Sequence, residues 1–473
     1  MNQRRYLGID LGAESGRVML GTLAEGRLTL EELHRFPNGP IRLAGTLRWD
    51  VLRLWHEIKT GLRSAAQRGV EIESVSVDSW ALDYVLMAKS EPMLRAPFCY
   101  RDARTEEPYA RLRAEIGEEA IYEATGIQFM PINTLYHLAA EVADGLHATA
   151  ERFLMIGDWI HYLLCGRVAQ EESNASSTQL WDPRRRAWSD SLIDAAKIPR
   201  HLFPPVVPPC TRLAPLSPEV SAETTLPPVE VVAGCVHDTG AAVAAVPASG
   251  GVDWAYLSSG TWSLIGVELP EPLITPAARA ANFTNETGVG GTSRFLRNAS
   301  GLWILQECKR IWARSGQDWS YDEFSKMAEV EATFPSRIDP DDVRFLRPAD
   351  MTKEVREACR ETNQPIPETP GQYARCVFES LATLYGKMLD VMERVVERRI
   401  TKLHIVGGGS RNALLNQLTA NATGRTVLAG PVEATVIGNV LLQALTLGHL
   451  SSHEELREVV RNSFPVTVYE PQR

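Results

Sequence analysis

Near the middle of the chain, Cys235-Val236-His237-Asp238-Thr239-Gly240 sets an imidazole, a carboxylate and a hydroxyl on three successive residues. The β-branched run 229–233 before it reads as a buried strand, and the small residues 241–245 after it read as a helix. Asp238 therefore falls between a strand end and a helix start, where open α/β sheets place ligands. Two roles stay open from these residues alone. As a helix N-cap, Asp238 would accept orphan backbone N–H groups, and capping with the helix dipole would favour its charged form. As a catalytic carboxylate, it would take a proton from a substrate hydroxyl.

Two further stretches have the composition of phosphate clamps. Gly12-Ala13-Glu14-Ser15-Gly16 is a tight turn whose glycines let the backbone approach an anion, while Ser15 adds a hydroxyl and Arg17 a cation. Asp10, just before it, could hold a hydrated magnesium ion, and Glu14 must point outward if phosphate is bound. A plain hairpin turn is the bland alternative, but it has no need of Asp, Ser and Arg as well. Ser258-Ser259-Gly260-Thr261 is a second small polar turn of the same plan. Gly407-Gly408-Gly409 follows the apolar run 402–406 and precedes a helical segment, so a flat ligand could lie against its backbone. A dinucleotide fingerprint would need a sixth-position glycine, and Asn412 stands there. Asn298 and Ser300 are both plausible caps of a helix over 302–314, and Gln306 falls off that helix's apolar face.

The elements that must position these residues follow from periodicity. Runs 6–11, 17–23 and 28–35 predict a three-stranded meander, and Asp50 caps a helix over 51–68 with Val51, Leu54, Trp55, Ile58, Leu62 and Ala65 on one face. Strands are expected at 72–77 and 83–87, with Trp80 between them as a core residue or the floor of a sugar site. Residues 105–165 read as helices, 174–180 as a polar loop, 182–186 as a solvated charge run and 204–228 as an irregular proline-rich stretch. Residues 247–251 offer a domain boundary, giving halves 1–246 and 252–473. After that boundary the strand–turn–strand plan begins again, which points to a duplicated architecture. A last apolar helix over 433–447 carries Gly438, where something packs closely.

Composition limits the function classes. The chain has 473 residues, 44% hydrophobic and 23% charged, enough for two domains with full cores. A net charge of −10 leaves no footprint for nucleic acid or an anionic membrane, and no stretch is apolar enough to span one. Seven scattered cysteines without a CxxC pair suggest reduced thiols and a cytoplasmic protein. A metal-dependent hydrolase built on His237 and Asp238 would need further ligands at helical spacing, and none cluster.

Gly8-Ile9-Asp10-Leu11-Gly12 with Ser15-Gly16-Arg17, the Gly234–Thr239 stretch, Ser258-Ser259-Gly260-Thr261-Trp262 and Val406-Gly407-Gly408-Gly409-Ser410 resemble the FGGY carbohydrate kinases. Residues 256–264, 282–286, 298–306, 344–348 and 430–434 resemble the branch of that family acting on L-rhamnulose. The resemblance implies an α/β fold of two ribonuclease-H-like domains, of the actin, hexokinase and heat-shock ATPase type, around a central cleft. It also implies transfer of a phosphoryl group from ATP, with Mg2+, to the 1-hydroxyl of L-rhamnulose. Asp238 would be the general base, and Asp10 would organise magnesium. Ala81, His237, Asp238, Thr239 and Asn298 would hold the sugar. Ala13, Glu14, Ser15, Gly16, Arg17, Thr261, Gln306 and Gly408 would hold the nucleotide. Ala81 departs from the glycine usual in the family. A kinase for fuculose or xylulose, or a non-catalytic nucleotide-binding regulator, is the alternative; the regulator would be expected to lack Asp10 or Asp238.

Overall fold

The computed structural model describes residues 3–145 and 149–472. By its own contacts the chain forms two units, one of Met1–Pro247, Glu268–Phe295 and Ala434–Ser463, the other of Ala248–Val267, Leu296–Glu433 and Phe464–Arg473. The halves 1–246 and 252–473 expected from the sequence are thus drawn differently. One passage between units falls at Pro247, inside the expected linker, but later segments return.

The first unit is built on a six-stranded sheet in the order Thr211–Pro215, Glu230–Ala233, Ser74–Ser79, Arg4–Leu11, Ser15–Ala24, Arg27–Pro37. Arg4–Leu11 runs antiparallel to Ser15–Ala24 and parallel to Ser74–Ser79, which in turn runs parallel to Glu230–Ala233. Tyr6, Leu7, Ile9 and Leu11 are fully buried, as a central strand covered on both faces requires. Asp50 caps helix Val51–Gln67 by accepting from Arg53 N at 3.2 Å, and Val51, Leu54, Ile58, Leu62 and Ala65 are buried along it. Helix Ala434–Thr446 lies against helix Asp238–Ala244 within the same unit. A Cβ on Gly438 would stand 1.9 Å from Ala241 O, so only glycine permits this approach.

A second sheet has seven strands, in the order Thr284–Thr287, Ser293–Ser300, Trp262–Leu269, Trp254–Ser259, Lys402–Val406, Thr426–Ala429, Thr467–Tyr469. Trp254–Ser259 pairs antiparallel with Trp262–Leu269 and parallel with Lys402–Val406, which pairs parallel with Thr426–Ala429. The first sheet has the same succession around Arg4–Leu11, so the duplicated plan is present in the pairing itself.

Several expectations change. The segment 105–165 contains a strand, Arg152–Met155, besides its helices. The expected polar loop at 174–180 is partly a helix, Glu172–Ser177, and is buried throughout. The proline-rich stretch holds strands Val206–Val207 and Thr211–Pro215 and helix Pro218–Thr224. Asn298 and Ser300 cap nothing: both lie on strand Ser293–Ser300, and helix Trp303–Arg314 starts from Leu302 without a side-chain cap. Helix Ala434–Thr446 is followed by another, His453–Ser463.

Candidate active site

In the first unit, strand register brings the acidic groups together. Asp10 pairs across the sheet with Arg17 on one side and with Asp78, distant in sequence, on the other. Arg17 forms a close ion pair with Asp10. Beyond Asp78, Ser79 bridges to His237 in parallel fashion, and Ser79 N donates to Val236 O at 2.8 Å. Asp10, Asp78 and Asp238 therefore gather at the carboxyl ends of three neighbouring strands, where such sheets bind ligands.

Asp238 is the first residue of helix Asp238–Ala244, and the N-cap is His237, which makes no side-chain cap bond. This corrects the cap reading. Asp238 Oδ1 accepts from the hydroxyl of Thr239 at 3.1 Å and closely from its backbone N–H, while the side chain stays 29% exposed. Its pKa is raised rather than lowered: surrounding protein desolvates the carboxylate, His237 opposes that, and Asp10 adds repulsion. A raised pKa makes a stronger proton acceptor, which suits a general base. Asp78 is pushed well above the ordinary carboxylate range by full burial, with Asp10 and Asp238 nearby. One of its oxygens accepts from Asn439 Nδ2 at 2.6 Å, and the other has no partner.

His237 is held from behind. Its Nδ1 lies 3.2 Å from Glu286 Oε2 and 3.2 Å from an Arg294 nitrogen, and its Nε2 lies 3.5 Å from Asp238 Oδ1. Glu286 and Arg294 are themselves 3.1 Å apart and buried. Burial alone would raise Glu286, but Arg294 and His237 bring it below the ordinary glutamate range. Neither Glu286 nor Arg294 was assigned a role from sequence. Both lie on the strands Thr284–Thr287 and Ser293–Ser300, remote in sequence from the loop they brace.

The first turn is half-buried at Gly12, Ala13, Glu14 and Ser15. Gly12 N donates to Ser15 O at 2.9 Å, and Asn38 engages the carbonyls of Gly12 and Glu14. Gly16 is a strand residue beneath the Phe36 ring, which a Cβ would meet at 2.2 Å. Packing under Phe36 is by itself enough to require glycine there. Ala81 is half-buried, whereas Trp80 is buried, with its indole donating to Asp83 Oδ2 at 2.8 Å. Trp80 is thus a core residue that shapes the loop.

In the second unit, Gly260 N donates to Trp262 O at 2.9 Å, closing the second turn like the first. Gly260 O and Thr261 O accept from Leu302, Gly301 and Trp303, which join the turn to the helix carrying Gln306. Gln306 is buried, and its Oε1 has no partner. Gly407 has φ +84°, and Cβ atoms on Gly407 and Gly409 would strike Ser259, whereas Gly408 has no atom within 4 Å of where its Cβ would be. Of the three glycines, Gly408 alone leaves open space for a ligand. Thr261, Gln306 and Gly408 thus share this unit with Asn298, which is half-buried on its strand.

The donors fit magnesium in its usual manner, which takes one or two carboxylates plus phosphate and water rather than a full protein cage. Asp10 supplies such a carboxylate, and among the described residues no group of three or more His, Cys, Asp or Glu forms a cage. Among the described residues no helix is long and apolar enough to cross a membrane.

Comparison with known proteins shows which family the chain is similar to. Residues 5–245 match the N-terminal domain of the FGGY family of carbohydrate kinases, and residues 255–447 match its C-terminal domain. The chain is 42% identical to a rhamnulokinase of Bacteroides thetaiotaomicron, over 99% of this chain and 96% of that one. It is 41% identical to a rhamnulokinase of Bacillus subtilis, over 99% and 95%. In fold it is similar to a ligand-bound xylulose kinase from Lactobacillus acidophilus, with TM-score 0.79, 15% identity and coverage of 99% and 94%. It is also similar to Plasmodium falciparum glycerol kinase with ADP, with TM-score 0.77, 14% identity and the same coverage.

Proposed function

This chain belongs to the FGGY family of carbohydrate kinases, and we propose that it transfers the γ-phosphoryl group of ATP to the 1-hydroxyl of L-rhamnulose. The observation that carries the substrate is 42% identity to a rhamnulokinase over 99% of the chain. ATP as cosubstrate follows from the family, and the sugar class with it.

In this reading Asp238 takes the proton of the attacking hydroxyl. Its raised pKa strengthens it as an acceptor, and its partial exposure leaves the carboxylate reachable. His237, fixed by Glu286 and Arg294, orients the sugar beside it, with Thr239, Ala81 and Asn298. The turn 13–17, Thr261, Gln306 and Gly408 hold the nucleotide. Asp10 would hold Mg2+, which would supply charge neutralisation for the phosphates. Catalysis of this kind depends on positioning and electrostatics more than on covalent chemistry.

The test is ADP release with ATP and Mg2+ across ketoses. L-Rhamnulose should give a higher kcat/KM than L-fuculose, D-xylulose or glycerol. An equal or higher value for any of the three overturns the assignment.

A further inference from the structure

We infer that Glu171 and Ser173 are positioning residues for phosphoryl transfer, aiming Asp238 by gripping the backbone of the two residues before it. The inference rests on the reading of Asp238 as the general base.

Strand Glu230–Ala233 ends before this loop, and helix Asp238–Ala244 begins after it. The N–H groups of Val236 and His237 therefore need partners from elsewhere. Val236 N donates to Glu171 Oε2 at 3.0 Å, and His237 N donates to Ser173 Oγ at 3.0 Å. The two acceptors are themselves joined: Ser173 N donates to Glu171 Oε1 at 2.8 Å, and the Ser173 hydroxyl donates closely to Oε2. Glu171 and Ser173 have no solvent exposure.

A further layer fixes the pair. Asp158 Oδ1 accepts from Glu171 N at 2.8 Å, and its Oδ2 accepts from the amides of Gln170 and Asn174. Gly157, beside Asp158, leaves no room for a Cβ, which would stand 2.5 Å from Val236 Cγ1. On the opposite side Ser79 N holds Val236 O. Val236 is thus held from both sides, and His237 from one. Two buried carboxylates are a costly way to fill space that apolar side chains could fill. What they add is direction: a fixed backbone one and two residues before Asp238. A base displaced by even 1 Å can lose about a hundredfold in rate.

The experiment is a double-mutant cycle with Ser173→Ala and Asp238→Asn, supported by Glu171→Gln. Gln has the shape of Glu but offers one acceptor oxygen where two N–H groups and a hydroxyl need acceptors. Ser173→Ala should lower kcat by about tenfold or more, with the rhamnulose KM and ATP affinity within about twofold. In the Asp238→Asn background the same change should lower kcat by less than about twofold, because the residue being aimed is no longer a base. A full and independent loss in that background, or a folded Ser173→Ala enzyme with normal kcat, overturns the inference. Failure of both Ser173→Ala and Glu171→Gln to fold also overturns it, since the pair would then be structural. If Asp238→Asn alone turns over normally, it is the reading of Asp238 that fails, an outcome distinct from these.

Discussion

Asp238 was open to two roles, and local geometry separates them. A capping side chain belongs to the residue before the first helical one, and here that residue is His237. Asp238→Asn keeps the shape and the acceptor for Thr239 but is a very poor proton acceptor. The variant should melt close to the wild type and bind ATP normally, with kcat lowered at least about a hundredfold. Thermal melting, nucleotide binding and turnover on one preparation check this; lost stability with normal turnover per folded molecule would return Asp238 to a structural role. The raised pKa adds a pH signature. A general base works only once deprotonated, so activity should rise with pH through a midpoint above the ordinary aspartate value of 3.8. In a pH profile of kcat/KM, an acid limb at or below that value would contradict the desolvated setting. Arg294 tests the bracing of His237. Arg294→Met should raise the KM for the sugar severalfold more than the KM for ATP, because it frees the imidazole without touching the nucleotide turns.

At the scale of elements, the two turns invite the same substitution with different meanings. Gly16→Val would drive a side chain into Phe36, so weakened ATP binding in that variant would reflect a damaged sheet. Gly260 is the informative position: its Cβ would meet only Trp262 O, at 4.0 Å, and its φ is not in the left-handed region. Gly260→Val should therefore fold normally yet bind ATP about tenfold or more weakly, since the added methyls would occupy the approach to phosphate. Unchanged affinity, measured by nucleotide titration, would remove this turn from the site. Helix Ala434–Thr446 shows where periodicity stops being informative. Its apolar pattern and Gly438 were legible as a packed helix, and the packing against Ala241 follows. Two of its polar residues, Asn439 and Gln443, are not core filler, however. Asn439 holds Asp78, and Gln443 donates to Leu7 O at 3.0 Å while accepting from the Ser74 hydroxyl. An i, i+4 polar pair reads as a solvent face until tertiary placement shows the two central strands of the sheet opposite it.

Across the whole molecule, what could be read from sequence was local. Strand–turn–strand units, the small-residue turns and the His237–Asp238 stretch declare themselves by spacing. The return of Glu268–Phe295 and Ala434–Ser463 to the first unit depends on contacts between distant residues. For the same reason Glu171, Glu286 and Arg294 were missed, because their importance lies in partners far along the chain. The first unit consequently buries many ionisable groups, and its stability should depend on pH in a definite sense. Asp83 is the clearest case. It accepts from the indoles of Trp49 at 2.5 Å and Trp80 at 2.8 Å, and burial pushes it from 3.8 up to about 7 despite those bonds. Its folded pKa lies above its unfolded one, so the folded state binds the extra proton between the two. Its stabilising contribution is complete below about 3.8 and is lost as pH rises through about 7. At about 1.4 kcal/mol per pKa unit, the loss approaches about 4 kcal/mol. Asp83→Asn cannot ionise, so whatever its amide costs in this buried setting is the same at every pH. Other buried groups, such as Glu171 at about 7 and His161 at about 3, titrate alike in both proteins and cancel in the difference. Between pH 5 and pH 8 the wild type's melting-temperature advantage over Asp83→Asn should therefore be greatest at pH 5, already below its full acid value, and should shrink or reverse by pH 8. Melting curves of both proteins across that range decide it, and a gap that stays constant or widens with pH would show that Asp83 is ionised in the folded protein.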